Sequence, residues 1–277
     1  MMIVVGASFL MGRSLVLSEA VFLGVIAFCI WSAADAINNI YDVNLDMFSD
    51  PFRAEFTKKI GKLGLFVALF FNVLSLVLSL ITMLPYVVFF VAIGIAFGVI
   101  YSAPPFRLRK TVYKPIVNFT VGAVPVLIAA AFFNIFTINI IALVLLIGIT
   151  TTVNSLWEDL SDYASDCSSG SKTILVILGY KKGLILTIAL GYTLIPLMAL
   201  VGTIFQLSWI YYLTLLSMSI FITLRVMQKL SILSMKNEED TQQLIMLGEV
   251  LSKDFVVIAI LFTLSLMLCS LLRTIIV

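Results

Sequence analysis

The sequence predicts an all-α polytopic membrane protein with about nine transmembrane helices around a central cavity, the first helix being shortened. Two observations support this fold class. Of the 277 residues, 62% are hydrophobic and only 12% are charged, which is typical of a helical membrane protein. The hydrophobic residues also occur in runs of about 17–25 residues, the length that a helix needs to cross a bilayer.

The apolar runs define the expected helices. Residues 1–12 are apolar but too short for a full span, so we expect part of a helix there. Full spans are expected at 17–42, 61–82, 84–102, 115–136, 138–157, 181–204, 207–226 and 253–275.

The chain also shows a weak internal symmetry. An acidic helix end opens each half, near residues 42 and 162, and a basic loop follows two helices later, near 107 and 229. Repeated halves are common in membrane proteins that place a site between them. We therefore expect residues 1–277 to form a single transmembrane domain with two pseudo-repeated halves, about 17–136 and 138–275.

The basic residues predict the orientation in the membrane. All 17 of them except Arg13 and Arg273 fall in four alternate loops, at 43–62, 103–114, 158–182 and 225–253. The connections between these loops carry no charge. Because Lys and Arg accumulate in cytoplasmic loops, the sequence predicts a multi-pass integral membrane protein with its acidic helix ends, and hence its active site, facing the cytoplasm.

The first acidic row follows the apolar run at 17–42. Asp42, Asp46 and Asp50 recur at every fourth position, and Asn38 continues the row one turn earlier. On a helix these side chains share one face. Carboxylates at this spacing repel one another, so the row predicts a bound cation, and oxygen ligands favour Mg²⁺ or Ca²⁺.

The second acidic row follows the span at 138–157. Asp159, Asp162 and Asp166 also share one helical face. One isolated row would be compatible with a solvated helix end. Two rows at equivalent helix ends instead favour a cation-binding site. Two facing clusters suit divalent ions with a multiply charged anion, such as a diphosphate, held between them.

A basic turn lies between the two rows. It reads Tyr101-Ser-Ala-Pro-Pro-Phe-Arg107-Leu-Arg109-Lys110. One interpretation of these charges is orientation in the membrane alone, but they also suit a second role. Arg107, Arg109 or Lys110 would neutralise a departing phosphate group.

The three motifs together resemble those of the UbiA family of intramembrane prenyltransferases. The resemblance includes a Gly170-x-x-Thr173 ending after the second row and covers nearly the whole chain. It implies a nine-helix fold with Mg²⁺ as cofactor. The metal ligands that it implies are Asn38, Asp42, Asp46, Asp159, Asp162 and Asp166.

The resemblance also implies which residues act on the substrate. The expected catalytic residues are Asp42, Asp46, Asp162 and Asp166. Residues expected to bind the substrate are Asn38, Arg53, Tyr101, Arg107, Arg109, Lys110 and Lys172. Asn39 stands where the family usually has aspartate, and Arg109 where lysine is usual.

These motifs predict an enzyme that transfers an isoprenyl group from an allylic polyprenyl diphosphate to a membrane-resident acceptor and releases diphosphate. Its expected partners are that donor, a lipophilic acceptor such as a quinone precursor or a lipid, and membrane lipid, with no nucleic acid. One alternative is a UbiA-type terpene cyclase that ionises the same donor without an acceptor. A second is a cation transporter with acidic helix ends, although transporters usually place carboxylates near the membrane midplane.

Overall fold

The structure, a computed structural model, describes residues 1–12, 16–49, 51–229 and 241–276. Within these ranges it contains α-helices and one short 3₁₀ turn, Leu108–Lys110, but no β-strand, so the predicted all-α class is confirmed. The α-helices in chain order are α1 (Met2–Met11), α2 (Leu17–Ser49), α3 (Pro51–Ile60), α4 (Leu63–Ile81), α5 (Pro85–Ser102), α6 (Lys114–Phe132), α7 (Ile138–Ser161), α8 (Tyr163–Ser168), α9 (Ile174–Leu178), α10 (Tyr180–Ile204), α11 (Trp209–Lys229) and α12 (Thr241–Ile276).

Six of these helices are long and apolar enough to cross a membrane. They are α4, α5, α6, α7, α10 and the Leu17–Val43 part of α2. The remaining predicted spans coincide with shorter apolar helices at Met2–Met11, Trp209–Leu224 and Val256–Cys269. An integral membrane protein is therefore supported, while the predicted count of nine spans is not confirmed.

Helices α6 and α7 lie at the centre of the bundle. Helix α6 contacts α1, α5 and α7, whereas α7 contacts α6, α10 and α12. Helix α2 packs against α4 and α5, and the short α1 lies against α2, α6 and α12. A continuous core of buried apolar side chains joins these helices. The two predicted halves meet where α6 contacts α7, but their symmetry remains a prediction.

The acidic and basic segments collect at one end of the bundle, which we call the charged end. Helices α2, α5 and α7 finish there, and α6 and α10 begin there. The opposite end has tight, uncharged turns in which Met83, Asn134 and Gln206 have positive φ angles. At two of these turns an amide donates back to the carbonyl five residues earlier, from Ile135 to Ala130 and from Leu207 to Gly202. This bond closes a helix terminus by the Schellman pattern.

The contact between α6 and α7 depends on Gly122. A Cβ atom at this position would lie 2.6 Å from the carbonyl oxygen of Ile147 and 2.6 Å from Oγ1 of Thr151. The backbone of α7 cannot yield to such a contact without moving the helix. Glycine therefore allows α6 and α7 to approach closely enough for their polar side chains to meet at the charged end.

We expect Gly122→Ala to lower the stability of the purified protein by about 1–3 kcal/mol, the usual cost of overpacking a core. Thermal unfolding in detergent measures this effect. Gly191→Ala is the matched control, because the nearest atom to a Cβ there is 3.9 Å away. An equal loss of stability in both variants would show that the α6–α7 approach is not limiting.

Candidate active site

The first acidic motif, at the end of α2, is held by the basic turn. Asp42 is completely buried and forms ion pairs with Arg107, at 2.7 Å, and with Arg109. Arg107 also donates to the carbonyl oxygen of Tyr41 at 2.6 Å. Two guanidinium groups therefore face one carboxylate, as a buried charge requires.

The backbone of Arg107 is unusual in a way that serves this contact. Its φ angle is 42°, in the left-handed region that bulky residues seldom adopt. This conformation begins the 3₁₀ turn that carries Arg109 and Lys110. The basic turn thus folds back over α2 instead of extending into solvent.

Asn38 connects the same turn to α5. Its side-chain oxygen accepts hydrogen bonds from Arg109 at 2.7 Å and from the hydroxyl of Ser102 at 2.9 Å. Asn38 and Asp42, both predicted metal ligands, therefore bind Arg109. Asp46 lies in α2, but its side chain is outside the described residues, as is the whole of Asp50.

The second acidic motif contains a buried ion pair that the sequence analysis did not anticipate. Lys114, the first residue of α6, binds Asp159 near the end of α7. Both side chains are buried. One helical turn further along, the amide of Asn118 donates to the hydroxyl of Ser155. The pair thus belongs to a polar seam between α6 and α7.

A signal for this seam was present in the sequence. Lys114 and Asn118 are four residues apart, and so are Ser155 and Asp159, which places each pair on one helix face. Polar side chains at this spacing within apolar spans are costly unless they face a polar partner. The sequence does not show which polar helix faces meet, because that depends on the tertiary fold.

Asp162 and Asp166 complete the second motif. Asp162 caps the end of α7, and the amide of Asp166 donates to its carbonyl oxygen at 2.8 Å, one helical turn away. Burial raises the pKa of Asp162, and the charges of Lys114, Arg109 and Arg53 oppose that rise. Burial likewise raises the pKa of Asp166, with Lys114 again opposing it.

Arg109 and the contacts of α2 both place the two acidic motifs close together. Arg109 belongs to the turn that binds Asp42, yet its charge also acts on Asp162. The helix contacts lead to the same conclusion, because α2, which carries the first motif, contacts both α6 and α8. The predicted meeting of two acidic helix ends at one place is therefore present in the structure.

Arg53 approaches the same place from α3. Its guanidinium lies 3.3 Å from the carboxylate of Asp35 and also donates to the side-chain oxygen of Asn39. The side chains of Arg53 and Asp35 are each 40% exposed. Asp35, which was not among the predicted site residues, therefore helps to hold Arg53 close to Asp162.

The remaining predicted substrate-binding residues, Lys110, Lys172 and Tyr101, also lie at the charged end. Burial lowers the pKa of Lys110, and the charge of Arg107 adds to this effect. The amide of the exposed Lys172 donates to the carbonyl oxygen of Lys110 at 2.9 Å, so the loop after α8 is attached to the basic turn. Tyr101, at the end of α5, is half-buried and lies within electrostatic range of Lys114.

The carboxylates fit a metal that is bound together with its substrate. Among the described residues, no three acidic or cysteine side chains converge on one point. Mg²⁺, however, usually takes only one or two carboxylates, and completes its coordination with water and substrate phosphates. Asp162 and Asp166, on successive turns, would supply such a donor pair. The metal roles of all six predicted ligands, these two included, remain predictions.

We expect Mg²⁺ binding to weaken as the pH is lowered, with a midpoint above 3.8, because burial raises the pKa of Asp162 and Asp166 above that ordinary value. A protonated carboxyl is a poor metal ligand. Because the pKa of each carboxyl is raised in the folded protein, protonation stabilises the fold. In the absence of metal, this contribution to the free energy of unfolding is present at low pH and is lost as the pH rises through the folded-state pKa. Calorimetric Mg²⁺ titrations at several pH values measure the first effect.

Asp162→Asn/Asp166→Asn is the control for this dependence, since its two amides do not titrate. An identical pH dependence in the wild type and in this variant would contradict the assignment.

A separate cavity of about 50 Å³ lies between α7, α10, α11 and α12. Its lining is almost entirely apolar and reaches Trp157 on α7. Trp157 precedes Asp159 by two residues, so their side chains point in directions about 200° apart on the helix. The cavity therefore lies on the other face of α7 from the Lys114–Asp159 pair.

The fold and the site together define a class of protein: an integral membrane bundle of helices in which acidic helix ends and a basic turn meet at one end. The chain belongs to the UbiA prenyltransferase family, whose sequence profile matches residues 1–236. A comparison with curated protein sequences gave no match.

Solved structures share this fold at low sequence identity. A digeranylgeranylglyceryl phosphate synthase is 18% identical, with a TM-score of 0.66, and the alignment covers 97% of this chain and 92% of that one. A UbiA homologue from Archaeoglobus fulgidus, bound to DMAPP and Mg²⁺, is 18% identical with a TM-score of 0.66 and 93% coverage of both chains. An apo UbiA homologue from Aeropyrum pernix K1 is 14% identical with a TM-score of 0.65, covering 93% of this chain and 96% of that one.

Proposed function

We propose that this chain catalyses the Mg²⁺-dependent transfer of an isoprenyl group from an allylic polyprenyl diphosphate to a lipophilic acceptor in the membrane, with release of diphosphate. The observation that carries the proposal is the meeting of the two acidic motifs with the arginines of the basic turn at the charged end. Family membership supports this reaction type. The Archaeoglobus fulgidus homologue, which was solved with DMAPP and with GPP in the presence of Mg²⁺, supports this class of donor.

The basic turn would bind the diphosphate. Arg107 and Arg109 each use part of the guanidinium group for Asp42, and a guanidinium has five N–H donors in a planar fork. In the described part of the chain the Nε of Arg107 is buried without a hydrogen-bond partner, and a guanidinium donor of this kind suits a phosphate oxygen. Asp42 and Asn38 thus keep the two arginines in place before the substrate arrives, which lowers the entropy cost of binding.

Mg²⁺, held by Asp162 and Asp166, would supply charge neutralisation to the diphosphate when bound. Arg53, held by Asp35 and Asn39, lies close enough to act on Asp162 and would approach the same group. Cations would then surround the oxygen on which negative charge develops, and stabilising that charge is usually the largest single contribution to catalysis.

The chemical step follows from this arrangement. The bond between the allylic carbon and the diphosphate oxygen breaks, and its electron pair remains with the diphosphate. The allylic cation is then captured by a nucleophilic atom of the acceptor, which loses a proton. The apolar spans that lead away from the charged end would exclude water from the cation. A carboxylate such as Asp162 or Asp166 is the available base, because the chain has no histidine.

The structure favours an enzyme over a cation transporter. Asp42 and Asp159 lie near the helix ends and are bound to basic side chains. A transport path instead needs carboxylates that exchange ions across the midplane. Uptake of divalent ions into liposomes that contain the purified protein would support the transporter.

Product analysis tests the proposal. The purified protein is incubated with Mg²⁺ and a series of allylic diphosphates, with and without a membrane lipid extract, and both released diphosphate and organic products are measured. We expect release that depends on Mg²⁺ and an alkylated acceptor in the extract. A cyclised hydrocarbon formed without any acceptor would identify a terpene cyclase, and no release from any donor would contradict the proposal.

A further inference from the structure

Lys114 occupies the centre of the second acidic motif. Its ammonium group binds Asp159, and only about 5% of the residue is exposed. The same charge acts on Asp162 and on Asp166, and in each case it is the strongest single charge opposing the effect of burial. The charge of Lys114 also acts on Glu158, so one lysine influences four carboxylates at this helix end.

The polar seam between α6 and α7 fixes Lys114 in this position. The hydroxyl of Thr151 donates to the carbonyl oxygen of Asn118 at 2.7 Å, and that of Thr152 donates to the carbonyl oxygen of Pro115 at 3.1 Å. These bonds bind the first turns of α6 to α7. The position of the lysine is thus set by the packing of two helices.

We propose that Lys114 is a positioning residue that takes the place of one divalent ion in the second acidic motif. It holds Asp159 and leaves Asp162 and Asp166 to bind metal. The inference rests on the proposed function only in taking Mg²⁺ as the ion.

Charge balance supports this division of roles. The ammonium of Lys114 neutralises the buried carboxylate of Asp159, so this carboxylate needs no metal ion as its counter-ion. Without the lysine, Asp159 would be a buried charge without a partner, and another cation would be needed to balance it. Lysine suits this place because its ammonium is a compact charge with three donors.

Metal binding by the detergent-purified full chain tests the inference. Calorimetric titration with Mg²⁺ gives the number of ions bound, and thermal unfolding is measured with and without Mg²⁺. We expect Lys114→Met to bind one more Mg²⁺ per chain than the wild type, because Asp159 becomes available as a ligand. Its melting temperature should be low without Mg²⁺ and recover when Mg²⁺ is added.

Two further variants serve as controls. Lys114→Met/Asp159→Asn removes both charges, and we expect it to bind as many ions as the wild type and to show the same increase in melting temperature with Mg²⁺ as the wild type. Lys181→Met removes an exposed lysine on α10 and should leave both measurements unchanged.

Two results would overturn the inference. One is a folded Lys114→Met protein that binds the same number of ions as the wild type. The other is a Lys114→Met protein that stays unfolded at every Mg²⁺ concentration while the double variant folds, since Lys114 would then be a counter-ion that metal cannot replace. Failure of the wild type to release diphosphate would instead count against the proposed function, because the ion count does not depend on turnover.

Discussion

Replacing Asp162 with alanine is expected to lower diphosphate release by about 10²–10³-fold, the effect of removing one group that stabilises the charge of a transition state. Asp162 lies where the charges of Arg53, Arg109 and Lys114 converge. Its loss leaves the ion pairs of Asp42 and Asp159 intact, so we expect the protein to remain folded. Initial rates of diphosphate release, together with a melting curve in detergent, measure both effects.

The control for this variant is Glu55→Gln on α3. Glu55 is exposed, and its replacement removes one negative charge without touching the site. We expect it to retain wild-type activity. Full activity of Asp162→Ala would exclude Asp162 from the catalytic machinery.

Asp159→Leu is expected to lower the free energy of unfolding by about 3–5 kcal/mol, the usual cost of leaving one partner of a buried ion pair alone. Solvent screens this ion pair very little, because the side chains of Lys114 and Asp159 are only 6% and 2% exposed. Thermal unfolding of the metal-free protein measures the change.

The compensating variant is Lys114→Met/Asp159→Leu. Replacing a buried ion pair with apolar side chains of similar volume is often neutral or stabilising, so we expect most of the lost stability to return. If the double variant is as unstable as Asp159→Leu, the loss arises from helix packing and not from the unpaired charge.

The sequence was sufficient to predict the all-α class and the positions of the six helices that are long and apolar enough to cross a membrane. Hydrophobic runs locate helices well because a bilayer requires a minimum length of apolar sequence. The spacing of Asp159, Asp162 and Asp166 likewise predicted a row, and the structure places all three at the end of α7 and in α8. These features depend on residues that are close in the chain.

The sequence did not show which charges pair. Asp42 was predicted as a metal ligand, and in the structure it binds Arg107 and Arg109, which follow it by more than sixty residues. Lys114 and Asp159, which form the other buried ion pair, are 45 residues apart in the chain. Such contacts depend on how helices pack, which local periodicity does not encode. The i, i+4 polar spacing in α6 and α7 would have indicated a seam but not its partner.

Asp35 illustrates the same limit to local reasoning. The family usually has aspartate at the position of Asn39, and this chain has a carboxylate one turn earlier, at Asp35. Both side chains contact Arg53. The sequence shows that a carboxylate is present at Asp35 and not at position 39. That Asp35 binds Arg53 depends on the position of α3, from which Arg53 reaches both residues.

A double-mutant cycle on ligand binding tests most directly whether the two acidic motifs share one ligand. The affinity of a non-reactive allylic diphosphate analogue is measured by calorimetry, with Mg²⁺ present, for the wild type, Asp42→Asn, Asp162→Asn and the double variant. We expect each single variant to bind about tenfold or more weakly, and the double variant to lose less than the product of the two, as for residues that contact a common partner. An unchanged affinity in either single variant, or fully independent losses, would contradict a shared site.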